Sequence, residues 1–386
     1  MSGPVLHFEL AEFAARRARL DAAMATRELD AMLLFAPESQ YWLTGFDTFG
    51  YCFFQCLVVP ADGAPVLLTR SADRLQAELT STIEDVRIWV DGAGADPAGM
   101  LAALLADLGL SGKRLGLETE THGLTARNGE RLQTALAGRV TLVEASDLVP
   151  ELRLTKSPAE IAMVRRAAEL GDEAHRAALP HMRPGGSEAA ILAAMQGAIF
   201  AGGGDYPGNE FIIGSGPQAL LCRYYSGRRI LDDQDQLTLE WAGTWRHYHA
   251  ALMRTVVIGE PRPTHRPMHA AAHEALLACE AALRPGATLG AVFAAHAETF
   301  DHHGLGAHRL NACGYALGAR FSPSWMEPQM FYADAPGLIG VNQVYFLHMI
   351  LMDQESGTAV TLGRTSLVTE SGAEPLSGLP LDLEVR

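Results

Sequence analysis

The sequence predicts a two-domain chain, a small α/β domain followed by a larger α+β domain. Three observations predict it. At 386 residues the chain exceeds what one hydrophobic core usually organises. Up to about residue 150, short apolar runs alternate with amphipathic stretches, the pattern of strands and helices in a mainly parallel sheet. Beyond that point, helical patterns are followed by long strand-rich runs joined by tight turns. The boundary falls near 150–156, which gives domains 1–152 and 153–386.

The elements follow from local pattern. FELAEFAARRARLDAAMATRE (8–28) spaces its apolar residues as an amphipathic helix. LDAMLLFA, CFFQCLVVP and APVLLT are short apolar runs bounded by Gly, Pro and Asp, and read as buried strands. DPAGMLAALLADLGL reads as a helix stopped by Ser-Gly, KRLGLET as a strand, NGERLQTALAG as a helix and RVTLVEAS as a strand. In the second half, Ser157-Pro158-x-Glu160 is a capping-box pattern opening a long helix of mixed charge. SEAAILAAMQGAIFAGG is a second helix, ending at Gly202-Gly203-Gly204. EFIIGSG, QLTLEWAGTW and HAALMRTVVIG read as strands, two helices follow near Pro267 and Thr288, and VNQVYFLHMILMD and GTAVTLGRTSLVTESG return to strands.

Composition narrows the function. A net charge of −15 opposes nucleic acid or anionic membrane as partner, since both demand clustered Lys and Arg. No apolar run reaches membrane-spanning length, and the N-terminus carries early acids rather than a signal-peptide core. The five Cys are odd in number and lack CxxC spacing, which favours reduced thiols in a cytoplasmic protein over a disulfide framework or a thiolate zinc site. GAGAD and GGGD lack the strand–turn–helix setting of a dinucleotide site.

The order of several segments resembles the creatinase / Xaa-Pro aminopeptidase family, whose catalytic domain has the pita-bread fold. The segments are ELRLTKSPAEIAMVRRAAELGDEA, IGSGPQALLCRYYSGRRIL, LEWAGTWRHYHAALMRTVVIGEP, NACGYALGARFSPSWMEP, VNQVYFLHMILMD and TSLVTESGAEPLS, with QYWLTGFDTFGYCFFQCLVV in the first domain. The resemblance implies an α+β pita-bread C-terminal domain behind a smaller α/β N-terminal creatinase-like domain. The metal-dependent members bind two metal ions through two Asp, one His and two Glu. Their positions fall here on Glu240, Ala251, Tyr315, His348 and Gly363. One carboxylate and one imidazole remain, too few donors for a two-metal cradle. The metal-free members, creatinase and ectoine hydrolase, cleave non-peptide C–N bonds. The ectoine hydrolases similarly carry Glu-x-Ala-Gly followed by Tyr-His, a Gly-Tyr, and a Pro-x-Trp like Pro323-Ser324-Trp325.

The implied reaction is metal-independent hydrolysis of an amidine, guanidino or amide C–N bond in a small molecule bearing a carboxylate, with no cofactor. Glu240 is the expected nucleophile or general base, or else a Glu on the exposed face of an edge strand. His348 would shuttle a proton, or be a satisfied core histidine. Tyr315 would donate to developing charge, or fill a cavity. His247 and His249 are one residue apart, and in a strand they share a face; His249 is the catalytic candidate and His247 a substrate contact or a solvated side chain. Arg223, beside Tyr224 and Tyr225, stands where the family usually has a His. Arg is no base and suits a carboxylate clamp. Tyr224 and Trp325 join it as substrate contacts. Tyr51 and Phe53 would close the site of a second subunit in a homodimer and stack on substrate, or simply pack in a strand. Arg254 reads as half of a structural ion pair. His265, His269 and His273 recur every fourth residue and on a helix would line one face, which could bind a metal but reads better as a solvated face. Two rival readings stay open. One is a metallopeptidase rebuilt from Glu240, the histidines and Asp353 or Glu355. The other is a binding protein without turnover.

Overall fold

The structure is a computed structural model and describes residues 3–224 and 227–386. Tyr225 lies outside the described residues. Contacts divide the chain into two units, residues 1–153 and 154–386.

The first unit contains α1 (Leu10–Thr26), β1 (Ala31–Leu34), α2 (Pro37–Thr44), β2 (Cys56–Pro60), β3 (Val66–Arg70), α3 (Arg74–Thr80), β4 (Asp85–Trp89), α4 (Pro97–Asp107), β5 (Arg114–Leu117), α5 (Ala126–Leu136) and β6 (Thr141–Glu144), with α6 (Leu148–Leu154) at its end. Its six strands form one sheet in the order β4-β3-β2-β1-β5-β6. β1–β5, β5–β6 and β3–β4 pair in parallel, but β2 runs antiparallel to both neighbours, so the sheet is mixed. The α2 helix was hidden in sequence because all eight of its residues are buried, which erases the amphipathic period. Pro37 opens it, Gly45 closes it in the left-handed conformation (φ 82°), and the buried Glu118 carboxylate accepts hydrogen bonds from Phe35 N, Ala36 N and Ser39 Oγ at its start. GYCFFQ is not strand. Gly50–Cys52 is a single 3₁₀ turn and β2 begins only at Cys56, which leaves Tyr51 half-buried and Phe53 exposed beneath the Arg70 guanidinium at 4.1 Å.

The second unit contains α7 (Pro158–Ala178), α8 (Glu188–Ala201), β7 (Ile212–Ser215), β8 (Asp235–Trp245), β9 (Tyr248–Ile258), α9 (His265–Ala282), α10 (Leu289–His302), β10 (Ala312–Ala316), β11 (Met330–Tyr332), β12 (Val344–Asp353), β13 (Thr358–Thr369), β14 (Gly372–Pro375) and β15 (Glu384–Val385). The predicted capping box forms: Ser157 Oγ accepts from Glu160 N, and Glu160 Oε2 accepts from Ser157 N. The other oxygen of Glu160 accepts from the Tyr248 hydroxyl at 2.7 Å and ties α7 to β9. One sheet runs β11-β10-β12-β13-β9-β8-β7, with β14 and β15 beside β13 and β9.

Helices α7 and α9 pack on this sheet, with α8 against α7 and α10 against α9. Alternation along each strand then sorts the side chains. Trp241 faces α7, where its indole N–H donates to Gly171 O at 2.8 Å. Leu347, Met349 and Leu351 join the α9–α10 core. Glu240, Phe346, His348 and Ile350 therefore point to the face away from the helices.

Two sequence expectations fail here for packing reasons. His265 and His269 turn inward on α9 and are buried; His265 Nε2 meets Gln236 Oε1 at 3.0 Å. Arg254 forms no ion pair among the described residues. Buried between strands, it donates to the carbonyls of Met253, Gly363 and Pro380. No helix of the described residues is long and apolar enough to cross a membrane.

Candidate active site

Cross-strand register builds the site. Glu240 pairs with Met253, Met253 with Gly363, and Gly363 with His348. Directly paired residues project to one face, so the Glu240 carboxyl and the His348 imidazole stand at opposite ends of one row. Three strand spacings separate their backbones, on the order of 15 Å. Tyr315 stands on β10, one strand beyond β12, and its side chain reaches back over the row to Glu240. Its hydroxyl donates to Glu240 Oε1 at 3.1 Å and accepts from Trp325 Nε1 at 2.8 Å. Its ring lies 5.7 Å from that of His348, and Phe346 completes an aromatic cluster with both.

Glu240, Tyr315, Trp325 and His348 line a cavity of about 420 Å³ together with Arg223, and with Ile212, Met330 and Ile350 as its apolar wall. Burial sets their protonation. It raises the Glu240 carboxyl to about 7, against the lowering effects of the Tyr315 hydrogen bond and the Arg223 charge. It pushes the Tyr315 phenol well above its usual value. It lowers His348 to about 4, helped by the Arg223 charge. Near neutral pH the floor of the cavity thus holds a carboxyl near its midpoint and a neutral imidazole. His348 Nδ1 is buried and has no hydrogen-bond partner among the described residues.

The structure brings together Glu240, Tyr315, Trp325, His348 and Arg223. It leaves His249, His247 and Tyr224 outside the cavity lining. His249 is fully buried behind the wall, where Nε2 accepts from Gly208 N at 2.8 Å. Burial lowers it to about 3, so it stays neutral and serves as an acceptor. The next residue, Asn209, accepts the backbone N–H of Trp325 at 3.2 Å. His249 therefore supports the segment that holds Trp325, which holds Tyr315. His247 does not share a strand face with His249. It sits in the tight turn between β8 and β9 with φ 64°, stacked on Phe321 at 4.1 Å. Tyr224 is half-buried beside the cavity, its backbone bonded to Ile213 and Leu221. Tyr51 and Phe53 belong to the first unit. Arg223 pairs with neither Asp232 nor Asp233; Arg229 takes Asp232 and Asp235 instead. Asn209, Glu210, Met330 and Ile350 also line the cavity and were missed. Strand alternation through His348 was signal enough to find Phe346 and Ile350; nothing local marked the others.

The residues do not fit a two-metal centre. Glu240 is the one carboxylate on the row, and its Oε1 is engaged by Tyr315. A Cβ built on Gly363 would lie 2.7 Å from Leu347 O and 2.9 Å from Phe346 Cε2, so the β12 backbone and the Phe346 ring occupy the space an acidic side chain would need. No group of three or more His, Cys, Asp or Glu able to hold a metal ion occurs among the described residues.

A sheet backed by paired helices, with a polar cluster on its open face, defines a pita-bread hydrolase domain. The chain belongs to metallopeptidase family M24, whose model matches residues 162–370, preceded by a creatinase/prolidase N-terminal domain over residues 16–155. It is similar to an uncharacterized hydrolase/peptidase of Sinorhizobium fredii (28% identity, 99% of each chain) and to the ectoine hydrolase of Halomonas elongata (26% identity, 99% of each chain). Among solved structures it resembles the dipeptidase PepE of Mycobacterium ulcerans, with 26% identity, a TM-score of 0.84, and 98% of this chain and 99% of that one covered. The chain is thus a two-domain member of a hydrolase family whose relatives include both an ectoine hydrolase and probable dipeptidases.

Proposed function

We propose that the protein is a metal-independent hydrolase of an amidine, guanidino or amide C–N bond in a small molecule bearing a carboxylate. The observation that carries this reading is the hydrogen-bonded chain Trp325–Tyr315–Glu240, built where metal-dependent relatives would place ligands. The ectoine hydrolase relative supports non-peptide chemistry.

The groups allow a balanced reaction. Glu240, as carboxylate, takes a proton from water while the water oxygen bonds to the electrophilic carbon. The C–N bond then breaks, and the protonated Glu240 returns its proton to the leaving nitrogen. A carboxyl poised near 7 serves both steps at neutral pH. The alternative role, direct attack of Glu240 on carbon followed by hydrolysis, uses the same residue. Tyr315, kept as phenol by burial, donates its one proton to Glu240 and steadies the carboxylate that acts as base. In the return of the proton, His348, neutral at rest, relays it from Glu240 to the leaving nitrogen. Arg223 binds the substrate carboxylate. The domain boundary at 152/153, and a homodimer in which Tyr51 and Phe53 contact the partner's substrate, belong to the same proposal. Light scattering tests the dimer.

A mass-spectrometric screen of ectoine, creatine and related carboxylates for hydrolysis products tests the activity. Turnover that survives chelation supports the reading. Activity confined to Xaa-Pro dipeptides and dependent on added metal overturns it.

A further inference from the structure

The cavity does not end at its mouth. Asn209 and Glu210 line it and also line an adjoining pocket of about 290 Å³, shared with Gln196, Tyr206, Pro207 and Ser322. The segment carrying them is fixed at several points. Gly208 N is held by buried His249, Asn209 Oδ1 takes Trp325 N, Asn209 Nδ2 donates to Glu210 O at 2.9 Å, and Phe211 is buried. Glu210 is thus presented from a rigid backbone, with its side chain exposed. Tyr206 is 79% exposed, and Phe200 packs edge-on against its ring with centroids 4.8 Å apart. That contact leaves a supported aromatic face beside the Glu210 pocket.

The charges are the second observation. Glu210 and Arg223 line the same cavity and carry opposite charge. Neither charged group has an ion-pair or hydrogen-bond partner among the described residues, and the two are not paired with each other. Opposite charges lining one cavity and unpaired with each other invite a ligand that spans them. A carboxylate answers Arg223. A cation answers Glu210, and the Tyr206 ring offers that cation a π-face.

We propose that Glu210 and Tyr206 form an outer subsite for a cationic group of the substrate, an ammonium or amidinium lying beyond the bond cleaved at Glu240. The ligand is then a molecule longer than the inner cavity, with its carboxylate at Arg223 and a remote cation in the outer pocket. The assignment of the inner cavity rests on the function proposed above; the outer subsite is read from binding alone, so its failure is separable from absence of turnover.

The test is a ligand-observed NMR titration with the ω-amino acids from glycine to 6-aminohexanoate and the matching alkanoates from acetate to hexanoate. At least one amino acid should bind about fivefold more tightly than its alkanoate, the size of one exposed ion pair. Glu210→Gln should bring that ratio to about one and leave the alkanoate Kd and the melting temperature unchanged. Tyr206→Ala should reduce the ratio part-way. An amino acid series that never exceeds its alkanoates, or a ratio that survives Glu210→Gln, overturns the subsite. If the ratio behaves as expected but no C–N substrate turns over, the subsite stands and the hydrolase reading fails.

Discussion

The Tyr315 hydroxyl donates to Glu240 Oε1 at 3.1 Å while accepting the indole N–H of Trp325 at 2.8 Å. The phenol is locked in one direction. Trp325 has only a donor to give, so Tyr315 must spend its own proton on Glu240. That single orientation ties the protonation of Glu240 to its neighbours.

Glu240→Gln should lower kcat by about 10²-fold or more, the usual scale for loss of an acid–base group. Its effect on stability has a definite sign. Burial raises Glu240 from 4.5 in the unfolded chain to about 7. The folded state therefore favours the protonated form, and the associated stability is full below about 4.5 and is lost as pH rises through about 7. Wild type should lose up to about 3 kcal/mol relative to Glu240→Gln across that interval. Chemical denaturation of both proteins at pH 5 and pH 8 measures the difference; a pH-independent gap would place the carboxyl at an ordinary value.

Tyr315→Phe removes a bond that lowers the Glu240 pKa. The midpoint of kcat/KM against pH, set by ionisation of Glu240, should move upward. The variant also leaves the buried Trp325 N–H without its acceptor, at a cost of about 1–3 kcal/mol. A pH profile that does not move would separate Tyr315 from the titrating group.

His249→Leu should destabilise by about 1–3 kcal/mol, because the buried Gly208 N–H loses its acceptor. Wild-type His249 is lowered from 6.5 to about 3 by burial. Stability tied to its neutral form is present above 6.5 and is lost as pH falls through about 3. The variant should therefore approach wild type on acidification. Melting curves between pH 7 and pH 4 test this, and full activity at pH 7 in His249→Leu would show that Trp325 does not depend on it.

Arg223→Lys should raise KM with little change in kcat, since a remote anchor binds ground and transition states alike. Arg223→Met should weaken substrate by about 1–3 kcal/mol, the range for a hydrogen bond to a charged group. Both should keep the wild-type melting temperature, because the guanidinium has no protein partner among the described residues. A fall in melting temperature with unchanged KM would make Arg223 structural.

Purified protein should hold well under one equivalent of zinc, manganese or iron by elemental analysis. Gly363→Glu should not create a metal site, since the added Cβ meets the backbone oxygen of Leu347 as well as the Phe346 ring. Stoichiometric metal whose removal abolishes activity would contradict this.

The sequence by itself determined the fold. Ordered motifs carried the pita-bread arrangement, and the resemblance implied that Glu240, Ala251, Tyr315, His348 and Gly363 stand at the ligand positions of metal-dependent members. Strand alternation also sorted side chains by face inside each strand, because a period of two leaves no freedom there. The tertiary structure decided what alternation could not. His249 belongs to the support of Trp325 because Gly208, 41 residues away, brings it an N–H. His247 leaves the strand face because the β8–β9 turn claims it. His265 and His269 are buried, although a four-residue spacing does not say which face of α9 meets the sheet. Glu210 joined the cavity because several loops and five strands converge there. Such convergence is long-range packing, and no local spacing encodes it.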